Sequence, residues 1–120
     1  MREDTDELCG VQAINEAWIH GLIRGLSKAI HVERVLLFGS RAKGEHTTWS
    51  DYDLCVISPD FKGIKPWERM ELVLSHWDGE RALEAVCYTM HEFETIDFSL
   101  VQEIRQNGLI LYPAIQRAGS

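Results

Sequence analysis

The 120-residue sequence has few cysteines and no long apolar run. Its three cysteines, Cys9, Cys55 and Cys87, are odd in number and widely spaced, which indicates neither a disulfide framework nor a zinc site. Cys55 and Cys87 lie within apolar runs and are predicted to be buried. No apolar stretch reaches the roughly 20 residues of a membrane-spanning helix, and the acidic residues 1–6 are unlike a signal peptide. We therefore expect a reducing cytoplasmic location and no membrane association.

Positive charge is also scarce. Lysine and arginine together number 12 against 19 aspartates and glutamates, which gives a formal net charge of −7. Nucleic-acid binding depends mainly on neutralising phosphates, so extended nucleic-acid binding is not expected. A small anionic ligand held by a local cluster of charges remains compatible with this balance. The content of 45% hydrophobic and 26% charged residues is ordinary for a globular protein.

The hydrophobic pattern predicts alternating helices and strands in one domain spanning 1–120, with a core at 5–113 and a C-terminal tail at 114–120. Thr89 and Glu92 have the spacing of a capping box at the start of the last helix. The predicted elements are a helix at 5–30, strands at 34–38 and 52–57, a loop at 59–66, a helix at 67–76, a strand at 82–89, a helix at 90–106 and a strand at 109–112.

This order predicts an α/β (α+β) fold with a mixed sheet of about four strands flanked by helices. The link between the first two strands, residues 39–51, is too short for a crossover helix. These strands are therefore expected to be antiparallel neighbours.

A single residue separates Asp51 from Asp53 at the start of the second strand. Alternate residues of a strand point to the same face, so this spacing crowds two carboxylates on one surface. Such crowding is unfavourable unless a cation lies between them, and Mg²⁺ and Mn²⁺ prefer oxygen ligands of this kind. A motif this short also occurs at the solvated end of an ordinary strand, so by itself it does not distinguish a metal site from a polar strand end.

Gly39 and Ser40 interrupt the apolar run of the first strand. A glycine there lets another group approach the backbone, and Ser40 could cap a short turn whose N–H groups bind an anion. Arg41 and Lys43 add positive charge. An ordinary strand-to-turn corner is the alternative, but together with Asp51 and Asp53 the pattern predicts a phosphate site beside a metal site, as reaction on a nucleoside triphosphate requires.

The pattern Gly39-Ser40-x10-Asp51-x-Asp53, within LLFGSRAKG and SDYDLCVIS, resembles the signature of the DNA polymerase β-like nucleotidyltransferase superfamily. More narrowly, it resembles the minimal nucleotidyltransferases that accompany HEPN-domain partners in prokaryotic toxin–antitoxin pairs. The resemblance implies that Gly39 and Ser40 hold the β- and γ-phosphates and that Asp51 and Asp53 bind divalent metal.

The same resemblance implies a third metal-binding carboxylate on the next strand. Aligning Thr89 and the following Glu92-Phe93 with the family's helix start assigns this role to Glu84, and Glu80 is the rival candidate. Two departures from the family pattern are visible. Glu84 stands where aspartate is usual, and Lys43 stands where arginine is common.

The resemblance implies a Mg²⁺- or Mn²⁺-dependent transfer of a nucleotide, most simply AMP from ATP, to a hydroxyl of an acceptor. A HEPN-type protein is the expected acceptor and partner, with this chain as its antitoxin; homo-oligomers are left open. Alternatives are a degenerate binding module that neutralises its partner by contact alone and transfer to a small molecule. Trp49 and Trp67 are candidates either for the partner contact or for packing.

Overall fold

The structure is a computed structural model that describes residues 14–113. Within this range the chain forms five helices, four strands and a short 3₁₀ turn at Pro59–Phe61. In chain order they are α1 (Glu16–Ala29), β1 (Arg34–Phe38), α2 (Ser40–Lys43), β2 (Tyr52–Ile57), α3 (Pro66–Leu74), β3 (Leu83–Tyr88), α4 (Met90–Thr95), α5 (Ser99–Asn107) and β4 (Leu109–Tyr112). None of these helices is long and apolar enough to cross a membrane.

The four strands form one mixed sheet in the order β3-β2-β1-β4. β1 is antiparallel to β2, as the short link between them predicts, and also to β4, whereas β2 and β3 are parallel. The α/β (α+β) class and the four-stranded mixed sheet are therefore confirmed. β2 is central, and its residues from Leu54 to Ile57 are completely inaccessible to solvent.

Helices cover both faces of the sheet. On one face α1 contributes Ile19, Leu22 and Leu26, and α3 contributes Val73. On the other face α4 and α5 contribute Phe93, Val101 and Ile104. This arrangement explains why β2 is apolar without alternation, since both of its faces are packed.

Cys55 and Cys87 are buried free thiols, as predicted, and belong to the cores on opposite faces of the sheet. Burial raises the pKa of Cys87 to about 12 and also raises the pKa of the Cys55 thiol. Both side chains therefore behave as small apolar core residues.

The prediction of one continuous helix over 90–106 was wrong. α4 ends at Thr95 and α5 starts at Ser99, because Ile96 and Phe98 adopt extended backbone conformations. Arg105 of α5 donates hydrogen bonds to the carbonyls of Phe93 and Ile96, at 2.6 and 3.1 Å, which satisfies the end of α4. Apolar residues continue at three- and four-residue spacing across this break, so the sequence pattern did not reveal it. The predicted capping box of Thr89 and Glu92 is confirmed.

The first helix is also shorter than predicted. Asn15 is extended and its side chain accepts a hydrogen bond from the Trp18 N–H, so α1 starts at Glu16 and ends at Ala29. The part of the predicted helix at 5–13, like the tail at 114–120, lies outside the described residues.

Arg69 of α3 joins three segments of the chain. The residue is only 6% exposed, and its side chain donates to the carbonyls of Ile64 (2.8 Å) and Cys87 (3.0 Å). It also forms a two-pronged ion pair with Glu92, with nitrogen–oxygen distances of 2.8 and 3.2 Å. Hydrogen bonding from this guanidinium lowers the pKa of Glu92. Arg69 therefore ties α3 to β3 and to the start of α4.

We expect Arg69→Met to lower the free energy of unfolding by about 3 kcal/mol, because two carbonyls and a carboxylate lose their buried partner. Chemical denaturation monitored by circular dichroism measures this loss. Arg24→Met, the same change on the exposed side of α1, is the matched control and should change stability by less than about 0.5 kcal/mol. Equal effects of the two changes would contradict the role of Arg69.

Candidate active site

Gly39 at the end of β1 packs directly against the carboxylate of Asp53. The strand register pairs Phe38 with Asp53, so the next residue along β1 meets the aspartate side chain. Gly39 has a φ of +76°, and a Cβ at this position would overlap Asp53 Oδ2 and lie 3.0 Å from Cγ. Only glycine combines this backbone conformation with this close approach.

Ser40 is the first residue of α2, and the prediction that it caps this turn was wrong. Gly39 is the N-cap, because its positive φ turns the chain one residue earlier. The turn is closed by the Lys43 N–H, which donates to the Gly39 carbonyl at 3.1 Å, and by the Glu45 N–H, which donates to the Ser40 carbonyl at 2.9 Å. Ser40 is thereby held next to the contact between Gly39 and Asp53.

Glu84 on β3 lies beside Asp53. The parallel register pairs these two residues across neighbouring strands. The pKa of Asp53 is raised from 3.8 to about 6, first by burial and then by the charge of Glu84, by a hydrogen bond with the Glu84 carboxyl and by the charge of Asp51. Glu80, the rival candidate, precedes β3 and is not paired with Asp53 in the sheet. Asp53 therefore lies beside Glu84 and within electrostatic reach of Asp51 at one end of the sheet.

The chemistry of these carboxylates suits a divalent cation, although no three His, Cys, Asp or Glu side chains among residues 14–113 are arranged as a ready-made metal cage. Asp53 and Glu84 are paired across neighbouring strands, and the charge of Glu84 helps to raise the pKa of Asp53. Binding of Mg²⁺ or Mn²⁺ would relieve this repulsion. Asp53 and Glu84, with Asp51 beside them, are the residues that could hold such an ion.

Arg41 is directed into the loop that connects α2 to β2. The residue is 4% exposed, and its guanidinium donates to the carbonyls of Ser50 (2.8 Å) and Thr48 (3.4 Å). The guanidinium also lies 4.0 Å from the centre of the Tyr52 ring. Arg41 thus braces the segment between Gly39-Ser40 and Asp51. The sequence analysis did not predict this role, although the sequence shows an arginine among glycine and small polar residues, which offer backbone carbonyls as partners. Phosphate binding by Arg41 stays a prediction.

Lys43 at the end of α2 is exposed. Its ammonium lies 3.9 Å from a carboxylate oxygen of Glu103, and an exposed pair at this distance contributes little to stability. The side chain can therefore turn toward an anion near Gly39-Ser40 at small energetic cost.

The family model of the nucleotidyltransferase domain matches residues 19–112. The chain therefore belongs to the nucleotidyltransferase domain family. The matched range includes Gly39-Ser40, all three carboxylates and every strand of the sheet. No match was found among curated proteins.

Several solved structures share the fold. A protein from Sulfolobus solfataricus assigned as a nucleotidyltransferase superposes with a TM-score of 0.57 at 19% identity, covering 81% of this chain and 84% of that one. A toxin–antitoxin structure with AMP-PNP gives a TM-score of 0.57 at 24% identity and coverages of 82% and 73%. A variant of the toxin–antitoxin pair MntA–HpeT gives 0.54 at 25% identity, with coverages of 82% and 72%.

We expect Gly39→Ala to be more harmful than Gly44→Ala, although both glycines have positive φ angles of +76° and +78°. A methyl group at Gly44 meets nothing within 4 Å, whereas one at Gly39 collides with Asp53. Left-handed backbone at Gly44 costs a non-glycine residue about 1–2 kcal/mol, whereas Gly39, with a ψ of −155°, lies in a region open essentially only to glycine. The excess loss at Gly39 therefore combines backbone strain with the collision against Asp53. Chemical denaturation of both variants provides the comparison, and equal losses would show that the contact is dispensable.

The raised pKa of Asp53 also predicts how stability depends on pH without metal. Because the folded-state pKa of about 6 exceeds the ordinary 3.8, the folded protein binds more protons between these values. The contribution of Asp53 to the free energy of unfolding is therefore fully present below about pH 4 and is lost as the pH rises from about 4 to 6. Asp53→Asn should raise the thermal unfolding midpoint in EDTA at pH 7.5, and this gain should shrink toward pH 4.

The exposed Asp78→Asn is the control for the loss of one negative charge and should not reproduce this pH-dependent gain. A constant difference between Asp53→Asn and the wild type from pH 4 to pH 7.5 would contradict the raised pKa.

Proposed function

We propose that this chain transfers a nucleotide, most simply AMP from ATP, to a hydroxyl of an acceptor, with Mg²⁺ or Mn²⁺ as cofactor. The observation that carries the proposal is the packing of Gly39 against the Asp53 carboxylate with Glu84 alongside. This contact joins a strand-to-helix turn suited to phosphate with a group of carboxylates suited to metal.

The predicted residues divide between the phosphates and the metal, while Arg41 braces the loop between them. Gly39 and Ser40 would bind the phosphates through the backbone of the turn, where Gly39 also admits the Asp53 carboxylate, and Lys43 can supply a positive charge. Asp51, Asp53 and Glu84 would hold the metal. When bound, Mg²⁺ or Mn²⁺ would neutralise triphosphate charge and polarise the α-phosphate.

The reaction balances without a further reactant. The acceptor oxygen forms a bond to the α-phosphorus, and the bond from that phosphorus to the bridging oxygen of the β-phosphate breaks. Pyrophosphate leaves with the bonding electrons, and the acceptor proton passes to a carboxylate. We assign this proton to Glu84, because this residue is paired with Asp53 across neighbouring strands.

A HEPN-type protein partner is the acceptor we propose, with the chain acting as an antitoxin in the cytoplasm. The similarity to toxin–antitoxin structures, one of which contains AMP-PNP, supports this choice. The net charge of −7 argues against a long nucleic-acid acceptor.

The experiment uses two forms of ATP, labelled at the α- or the γ-phosphate, with Mg²⁺ and the protein encoded by the neighbouring gene as the candidate partner. Nucleotidyl transfer predicts that the partner acquires the α-label and not the γ-label. Glu84→Gln should reduce the rate by about 100-fold or more, whereas Glu84→Asp should retain activity because it keeps a carboxylate. Glu80→Gln is the matched control and should behave as the wild type.

Three outcomes separate the alternatives. Transfer of the γ-label would overturn nucleotidyl transfer. Neutralisation of the partner without labelling, retained in Asp53→Asn, would establish a contact-only binding module. Labelling of a small molecule in place of the protein would overturn the proposed acceptor but not the reaction.

A further inference from the structure

Trp49 is the most exposed large hydrophobic residue in the described part of the chain, at 76%. It lies two residues before Asp51, on the loop that runs from Gly39-Ser40 to the carboxylates. Two residues span at most about 7 Å along the backbone. An indole ring is therefore presented to solvent at the edge of the proposed phosphate and metal site.

One face of the Trp49 ring is covered by Arg81, whose guanidinium carbon lies 4.3 Å from the ring centre. Arg81 is itself held in place, because its Nε donates to the Thr48 carbonyl at 2.8 Å. The high exposure of Trp49 leaves the opposite face accessible. The pair thus forms an aromatic surface with a fixed cation behind it.

The backbone beneath this ring is also braced. The Trp49 N–H donates to the Thr47 hydroxyl at 3.2 Å, and the Thr48 carbonyl that receives Arg81 also receives Arg41. Two arginines from different segments of the chain thereby hold one peptide in place. Because the loop that carries the ring is already ordered, the protein would lose less conformational entropy when a ligand stacks on Trp49.

We propose that the free face of Trp49 stacks on the base of the nucleoside triphosphate, an inference that rests on the proposed function. In such a ligand only a ribose separates the base from the α-phosphate, which matches the short separation between Trp49 and Asp51. Every base has an aromatic face that can stack on indole. Trp49 and Arg81 would then recognise the base, while Gly39-Ser40 and the carboxylates act on the phosphates.

The position of Trp49 beside the proposed site favours a nucleobase over a protein partner as its ligand, and Trp67 provides the comparison. Trp67 is also exposed, at 57%, and also has a cation above it, Lys65, at 5.4 Å. Trp67, however, lies at the start of α3. The chain reaches α3 after leaving the C-terminal end of β2, which is the end of that strand opposite Asp53. Trp67 is therefore a matched control with a similar surface and no access to the proposed site.

Calorimetric titration of the whole chain with ATP and with tripolyphosphate, both with Mg²⁺, tests the inference without an acceptor. Trp49→Ala should weaken ATP binding about tenfold, as expected for loss of one stacked base, and leave tripolyphosphate binding unchanged. Trp49→Phe should retain most of the affinity for ATP, because phenylalanine keeps a stacking face. Trp67→Ala should bind both ligands as the wild type does.

Several results would overturn the inference. Unchanged ATP affinity in Trp49→Ala would assign the ring to another contact, including a partner protein. An equal loss for ATP and tripolyphosphate would show that Trp49 only shapes the loop. Wild-type binding of tripolyphosphate as tightly as ATP would exclude a base contribution while leaving the proposed reaction standing, whereas binding of neither ligand would overturn both proposals.

Discussion

The antiparallel pairing of β1 with β2 is the constraint on which the rest of the site depends. This register brings the end of one strand against the start of the other, so the Gly39 backbone contacts the Asp53 carboxylate. A shift by one residue would turn the Asp53 side chain to the opposite face of the sheet. The buried apolar residues of β2 prevent such a shift, because both faces of that strand are packed.

Two buried arginines join segments of the chain through hydrogen bonds that lie outside the strand pairing. Arg41 binds carbonyls of the loop between α2 and β2, and Arg69 binds carbonyls from two segments together with the Glu92 carboxylate. Loop backbone lacks regular hydrogen-bond partners, and a guanidinium can satisfy several carbonyls at once. Arg41 therefore fixes the loop between Gly39-Ser40 and the carboxylates, and Arg69 fixes the junction of α3, β3 and α4.

The fold class and most elements could be predicted from local patterns, and the family from the resemblance carried by the stretch from Gly39 to Asp53. The spacing from Gly39 to Asp53 and the capping box at Thr89 depend on residues close in sequence, so they are visible without coordinates. The break between α4 and α5 was missed because apolar spacing continues across it while Arg105 compensates the exposed carbonyls. The capping position was missed because the positive φ of Gly39 turns the chain one residue early.

The sequence by itself determined which chemical groups are present: a glycine, a serine and crowded carboxylates placed at the ends of apolar strands. Only the tertiary structure decided which of them meet. Asp53 and Glu84 are distant in the chain and adjacent across parallel strands, and Arg41 faces loop carbonyls from a position that by sequence suited a phosphate contact. Strand register and side-chain direction arise from packing between distant segments, which local patterns do not encode.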